Sequence, residues 1–229
     1  MTAETTHNLA AGRRRCVALF GGTFDPVHTG HIAVAKAALR RFHLDAVYFV
    51  PSASPPHKAD SALAPFVHRY AMVALACAGR RELVPSLAEA TLDGLPHRVF
   101  YTVDTVRRFR RQHRRDHVYF IVGADQFLEI PTWKDYETLL DSCDFIIASR
   151  PGFSLDALRL VIPPQKLATK VPSDPRKIVL RKSAIHLLTT VASHVSSTEV
   201  RKRLEQGQSI HGLVPPRVED YIQGQVLYR

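Results

Sequence analysis

The stretch "GGTFDPVHTGH", residues 21–31, follows directly on the apolar run "VALF", residues 17–20. A short β-branched and aromatic run reads as a buried strand, and two glycines at its end let the backbone turn sharply and a ligand come close. In a doubly wound sheet, ligands bind beyond the carboxyl ends of the strands. Pro26 stiffens the loop, and Thr29 is a fair N-cap for a following helix. The first turn of that helix offers N–H donors and the positive end of its dipole. His28 and His31 fall one turn apart beside the loop. Together these residues make a phosphate-binding corner. Histidines so spaced can also share a metal, but a catalytic zinc usually takes three protein ligands. The nearby third candidate is His57, on a different loop, so no protein-held metal is expected.

The same strand-then-helix pattern continues outward. "CVALF" (residues 16–20), "AVYFV" (46–50), "VYFIVG" (118–123), "DFIIAS" (144–149) and "AIHLLTTV" (184–191) read as strands. "IAVAKAALRRF" (32–42) reads as a helix with an Ile32, Ala35, Leu39 stripe. "PFVHRYAMVALACA" (65–78) reads as another, with Phe66, Tyr70, Val73 and Cys77 on one face. "TEVRKRLEQG" (198–207) is a later helix, and the tail "PPRVEDYIQGQVLY" (215–228) predicts a docked helix with Val218, Tyr221 and Ile222 at helical spacing. The fold class is therefore α/β: a Rossmann-like, doubly wound parallel sheet with helices on both faces and a C-terminal helical segment. Residues 1–14 read as a mobile N-terminal tail and residues 15–229 as one domain. Residues 151–182, rich in Pro and Lys/Arg, read as a surface excursion of the kind that serves as a lid or an oligomer contact. A homo-oligomer is thus one open arrangement.

Composition narrows the partner. The chain has 229 residues, 45% of them hydrophobic, which suffices for one sizeable core. Its formal net charge of +10 calls for an anionic partner: nucleic acid, a membrane surface or phosphorylated metabolites. The three cysteines, Cys16, Cys77 and Cys143, form no CxxC pair, so neither a zinc site nor a disulfide framework is indicated and a cytoplasmic location is expected. The N-terminus lacks an apolar signal region, and no stretch approaches a membrane span.

A second segment carries the same chemistry as the first. "VSSTEVRKRL" (195–204) places Ser196, Ser197 and Thr198 at a helix start, with Arg201 one turn on and able to reach an anion held there. The two segments together resemble the paired signatures of the HxGH-motif nucleotidyltransferases, the second being similar to an ISSTxxR element. Three further segments resemble the nicotinate-nucleotide adenylyltransferases within that superfamily: "VPSASPPHK" (50–58), "FYTVDT" (100–105) and "IVGADQFLEIPTWKDYETLL" (121–140). "ASRPG" (148–152) is similar to that family's strand exit. The likeness runs from Cys16 to about Leu204 and is loose over residues 153–190. It departs from the family in "DGLPHRVFYT" (93–102): Phe100 stands for a serine, and Asp93 and Arg98 miss the expected acidic and basic positions.

The resemblance implies this reaction: ATP plus nicotinate mononucleotide gives nicotinate adenine dinucleotide and pyrophosphate, a step of NAD biosynthesis. It implies that ATP is held by Gly21, Gly22, Thr23 and Phe24, by His28 and His31, by Gly123 and Asp125, and by Ser196, Ser197, Thr198 and Arg201. The acceptor falls to Asp25, Lys58, Tyr101, Thr102, Trp133 and Arg150. Trp133 would stack on the pyridine ring. The catalytic groups are His28, His31, Lys58 and Arg201, expected to supply positive charge and N–H donors to crowded phosphates. Mg²⁺ would be bound through the ATP phosphates. The expected partners are the two nucleotides, with no nucleic acid and no membrane. One rival reading is an adenylyltransferase for nicotinamide mononucleotide or phosphopantetheine. Another is a basic nucleic-acid-binding module built on "RRFRRQHRRDH" (107–117), although the same residues read more simply as the solvated face of a helix with Val103, Val106 and Phe109 inward.

Overall fold

The computed structural model describes residues 13–53, 63–90, 99–150, 152–170, 172–189 and 195–229. Seven strands, β1 (Cys16–Gly22), β2 (Ala46–Pro51), β3 (Leu83–Pro85), β4 (His117–Gly123), β5 (Asp144–Ala148), β6 (Lys177–Val179) and β7 (Ala184–Leu188), form one sheet in the order β3-β2-β1-β4-β5-β7-β6. All pairings are parallel except β6 with β7. From β1 the chain winds one way to β2 and later returns to β4 on the other side. The crevice between the exits of β1 and β4 is therefore the switch point where such sheets bind ligands.

Among the described residues eight α-helices cover the sheet: α1 (Thr29–Phe42), α2 (Phe66–Cys77), α3 (Thr102–Gln112), α4 (Ala124–Leu128), α5 (Tyr136–Leu140), α6 (Leu155–Arg159), α7 (Ser197–Glu205) and α8 (Pro216–Gly224). Alternation along β1 sorts them. Val17 and Leu19 point into a cluster with Val103, Val106 and Phe109 of α3, Phe127, Leu139 and Leu158. Ala18 and Phe20 point into the other, with Ile32 and Ala35 of α1, Met72 of α2, Val200 of α7 and Val218 and Ile222 of α8. Both faces are buried, which is why the strands are nearly continuous apolar runs.

Several expectations shift by a residue or two. Helix α1 is capped by His28, not Thr29. The His28 N–H donates to His31 Nδ1 at 3.2 Å, so the imidazole does the work sought from a hydroxyl. Thr29 instead donates its backbone N–H and its hydroxyl to the Leu213 carbonyl, at 2.9 and 3.0 Å, and so fastens the C-terminal segment to the loop. The inward face of α2 is centred on Arg69, Met72, Val73 and Ala76, leaving Phe66 and Tyr70 half-buried on its flank. The Arg69 guanidinium, held by backbone carbonyls, sets that rotation. Strands β3 and β6, three residues each, are too short to show a period. The 151–182 excursion carries α6 and the antiparallel edge strand β6. Arg13 and Arg14, assigned to the tail, are tied to the Asp45 carboxylate and to the Asp116 carbonyl. Residues 1–12 lie outside the described residues.

Candidate active site

Two adjoining cavities open at the switch point. The larger, about 690 Å³, is walled by Phe24, His28, His31, Gly123, Asp125, Arg150 and the start of α7, Ser196, Ser197 and Thr198. The smaller, about 240 Å³, is walled by Tyr101, Thr102, Thr105, Trp133, Lys134 and Glu89. Gly21, Gly22, Thr23 and Gln126 line both. Side chains at this junction would crowd two aromatic rings. A Cβ on Gly22 would come within 3.0 Å of the Phe24 ring, and one on Gly21 within 3.2 Å of the Phe120 ring.

In the larger cavity the two imidazoles stack, with centroids 3.7 Å apart and planes at 29°. The Phe24 ring meets His31 edge-on at 4.9 Å, and Phe20 stands behind at 6.0 Å. His31 is thus wedged before any ligand arrives. Its Nδ1 accepts from the His28 N–H, so in the neutral ring the single proton sits on Nε2, which is left to donate. Burial pushes His28 down to about 4, and burial together with the His28 ring holds His31 well below the ordinary histidine value. Of the two contributions expected from these rings, positive charge and N–H donors, the lowered values favour the neutral donor form at neutral pH. The lowered values also give stability a pH dependence. Protons bind the unfolded histidines first, so the contribution is complete above about pH 6.5 and is lost as pH falls toward about 4. The urea midpoint should therefore drop between about pH 6.5 and 5, and a His28→Asn, His31→Asn variant should flatten that drop; an equal drop in the variant would assign it to other groups.

Helix α7 is capped by Ser196, whose Oγ accepts the Glu199 N–H at 3.1 Å. Ser197 Oγ donates to the Pro26 carbonyl at 2.9 Å, which ties the second signature to the first. The N-termini of α1 and α7 therefore converge on one space, where both dipoles favour an anion. Ser149 also lines it, and its buried Oγ has no hydrogen-bond partner among the described residues.

In the smaller cavity the Trp133 indole stands at 87° to Phe120, with centroids 6.5 Å apart, and forms an aromatic wall. Lys134 Nζ lies 4.2 Å from the Tyr101 ring centroid and 3.8 Å from Asp104. Glu89, which sequence reasoning missed, accepts from the Thr105 hydroxyl at 2.9 Å. Burial pushes its carboxyl up against that hydrogen bond and the charges of Arg108 and Arg69. Glu89 thus adds a carboxyl to this cavity, while Asp93 and Arg98 lie outside the described residues.

Not every expected residue joins its cavity. Arg150 lines the larger space rather than the acceptor side. Asp25, assigned to the acceptor, is 1% exposed and lines neither cavity; Tyr228 and the Ala64 N–H hold its carboxylate. Arg201 also lines neither, and its Nη1 donates to the Asp25 carbonyl at 2.7 Å. Lys58 lies outside the described residues. Arg69 was missed because a buried arginine gives no pattern in sequence. It is 2% exposed and donates to the carbonyls of Thr23, Ser52, Ala53 and Ala64 at 2.9, 2.8, 3.3 and 2.9 Å. One side chain thereby holds the loops that leave β1 and β2.

The cytidylyltransferase-like family profile matches residues 19–203, which makes the chain a nucleotidyltransferase of that class. A protein of Moorella thermoacetica named "Probable nicotinate-nucleotide adenylyltransferase" is 42% identical over 214 residues, covering 93% of this chain and 91% of the relative. A protein of the same name from Geobacter sulfurreducens is 38% identical over 212 residues, covering 92% and 96%. The chain belongs to the nicotinate-nucleotide adenylyltransferase family. The structure of Plasmodium falciparum nicotinic acid mononucleotide adenylyltransferase complexed with NaAD shares the fold, with a TM-score of 0.67, 21% identity and coverage of 94% and 98%.

Proposed function

We infer that the protein transfers the adenylyl group of ATP to nicotinate mononucleotide, releasing pyrophosphate and forming nicotinate adenine dinucleotide. The observation that carries this reading is the pair of cavities meeting at Gly21–Thr23. One is polar and helix-capped, suited to a triphosphate; the other has an aromatic wall suited to a flat ring. A phosphate monoester has its second pKa near ~6, so the acceptor arrives mostly dianionic and needs no base. One of its oxygens attacks the α-phosphorus in line, the new P–O bond forms, and the bond to the bridging oxygen breaks with its electrons leaving on pyrophosphate. Two unit charges ~4 Å apart repel by about 4 kcal/mol at an effective dielectric near 20. His31 Nε2–H, the starts of α1 and α7, Arg150 and, on this reading, Lys58 and Arg201 offset that repulsion. Asp125 sits where ribose hydroxyls would be accepted.

ATP enters as its Mg²⁺ complex. The ion would be held by the substrate phosphates and water. The free thiols Cys16, Cys77 and Cys143 support a cytoplasmic setting.

The test is a panel of nicotinate mononucleotide, nicotinamide mononucleotide and phosphopantetheine with MgATP, scored by pyrophosphate release. Nicotinate mononucleotide should be consumed fastest, and a preference for phosphopantetheine would overturn the reading. Trp133→Ala should raise the acceptor KM by about 10-fold or more, from lost aromatic contact, with the ATP KM within about twofold. Equal rises in both would remove the ring contact.

A further inference from the structure

The C-terminus reaches the site in a way the reaction does not by itself require. After α8, which is held to α2 by a 2.9 Å contact between His68 Nδ1 and the Tyr221 hydroxyl, the chain folds back. Val226 and Tyr228 both take positive φ, 53° and 64°, a region costly for side chains with a Cβ. That geometry delivers the Tyr228 hydroxyl to Asp25 Oδ1 at 2.6 Å. Burial and the adjacent carboxylate push the phenol up, so it keeps its proton and donates. Asp25 Oδ1 also takes the Ala64 N–H at 3.2 Å. Its Oδ2 is buried without a hydrogen bond among the described residues and lies 3.7 Å from Arg201 Nη1. Arg201 is thus anchored on the Asp25 main-chain carbonyl but stops short of a close ion pair with the carboxylate beside it.

We propose that Tyr228 is a positioning residue which, by hydrogen-bonding Asp25, keeps that carboxylate from capturing Arg201, so that the guanidinium, which lines neither cavity and rests on a single main-chain carbonyl, can turn to the phosphates of ATP when they arrive. This rests on the reading of Arg201 as an ATP contact. A buried carboxylate relieves its desolvation through the best donors within reach. With the phenol in place, a short charge-assisted bond meets part of that demand. Without it, Arg201 is the nearest side-chain donor, and a bidentate pair would form at the expense of the triphosphate. The other charged group facing this corner is Arg69, whose donors are occupied by carbonyls.

A double-mutant cycle on the full chain tests it, reading the Kd of a non-hydrolysable ATP analogue. Tyr228→Phe should weaken binding by about 10-fold, and Asp25→Asn added to it should restore most of the loss, because a neutral amide no longer competes for the guanidinium. Additive losses, or unchanged binding in Tyr228→Phe, would overturn the proposal and leave a tyrosine that merely docks the tail. If Tyr228→Phe unfolds, Asp25→Asn alone decides: it should bind the analogue at least as tightly as the parent chain, and weakening beyond about threefold would sink the idea. The readout needs no acceptor, so a wrong acceptor assignment and a wrong role for Tyr228 give different results.

Discussion

Replacing His31 by alanine is expected to lower kcat and kcat/KM together by about 10²–10³-fold, the usual loss when one aimed donor to a developing charge is removed. The Nε2–H is oriented by two features that need no ligand: the hydrogen bond that Nδ1 accepts from His28 N–H and the stack between His28 and Phe24. A donor fixed in advance costs no reorganisation when charge moves onto the leaving pyrophosphate. The same substitution strips the cap from α1, at about 1 kcal/mol, so the melting temperature should fall by only about 2–4 °C. Activity should therefore collapse in a protein that stays folded. Turnover within about threefold of the parent would remove His31 from the chemistry.

Arg69→Met should have the largest effect on stability. Four carbonyls of half-buried residues lose their donor, and an acceptor left unsatisfied away from water costs about 1–3 kcal/mol. Allowing for relaxation, a net loss of at least about 3 kcal/mol is expected, a fall of roughly 6–12 °C in a chain of this length. Arg69→Lys should recover little, since an ammonium is a point donor and cannot span carbonyls arriving from four residues. Because Thr23, Ser52 and Ala53 belong to the loops after β1 and β2, both substrate KM values should rise in whatever fraction still folds. A lysine variant melting within about 2 °C of the parent would contradict the clamp.

The helices and central strands were legible because their periodicity is local. Val17–Phe20 lies next to Gly21 and Gly22, and a strand ending in glycines before a capped helix can be recognised within fifteen residues. The cavity-lining histidines, Ser196, Ser197, Thr198, Tyr101 and Thr102 could be picked out for the same reason, each sitting at a strand exit or helix start. What escaped were residues whose role depends on partners far along the chain. Arg69 is read as one more helix residue until carbonyls 16 to 46 positions away surround it. Asp25 sits inside the signature yet turns from the cavities, because Tyr228, 203 positions on, takes its carboxylate.

Sequence by itself determined the alternation of strands and helices, the two helix starts that line the larger cavity and the residue types around them, since these follow from spacing along a few turns of chain. Only the tertiary structure decided that burial lowers the pKa of both imidazoles, that Arg150 lines the larger cavity, and that Arg201 bonds to the Asp25 carbonyl outside the cavities. Those outcomes depend on burial and on which distant groups are brought within about 4 Å, where Coulomb and hydrogen-bond energies outweigh any local preference.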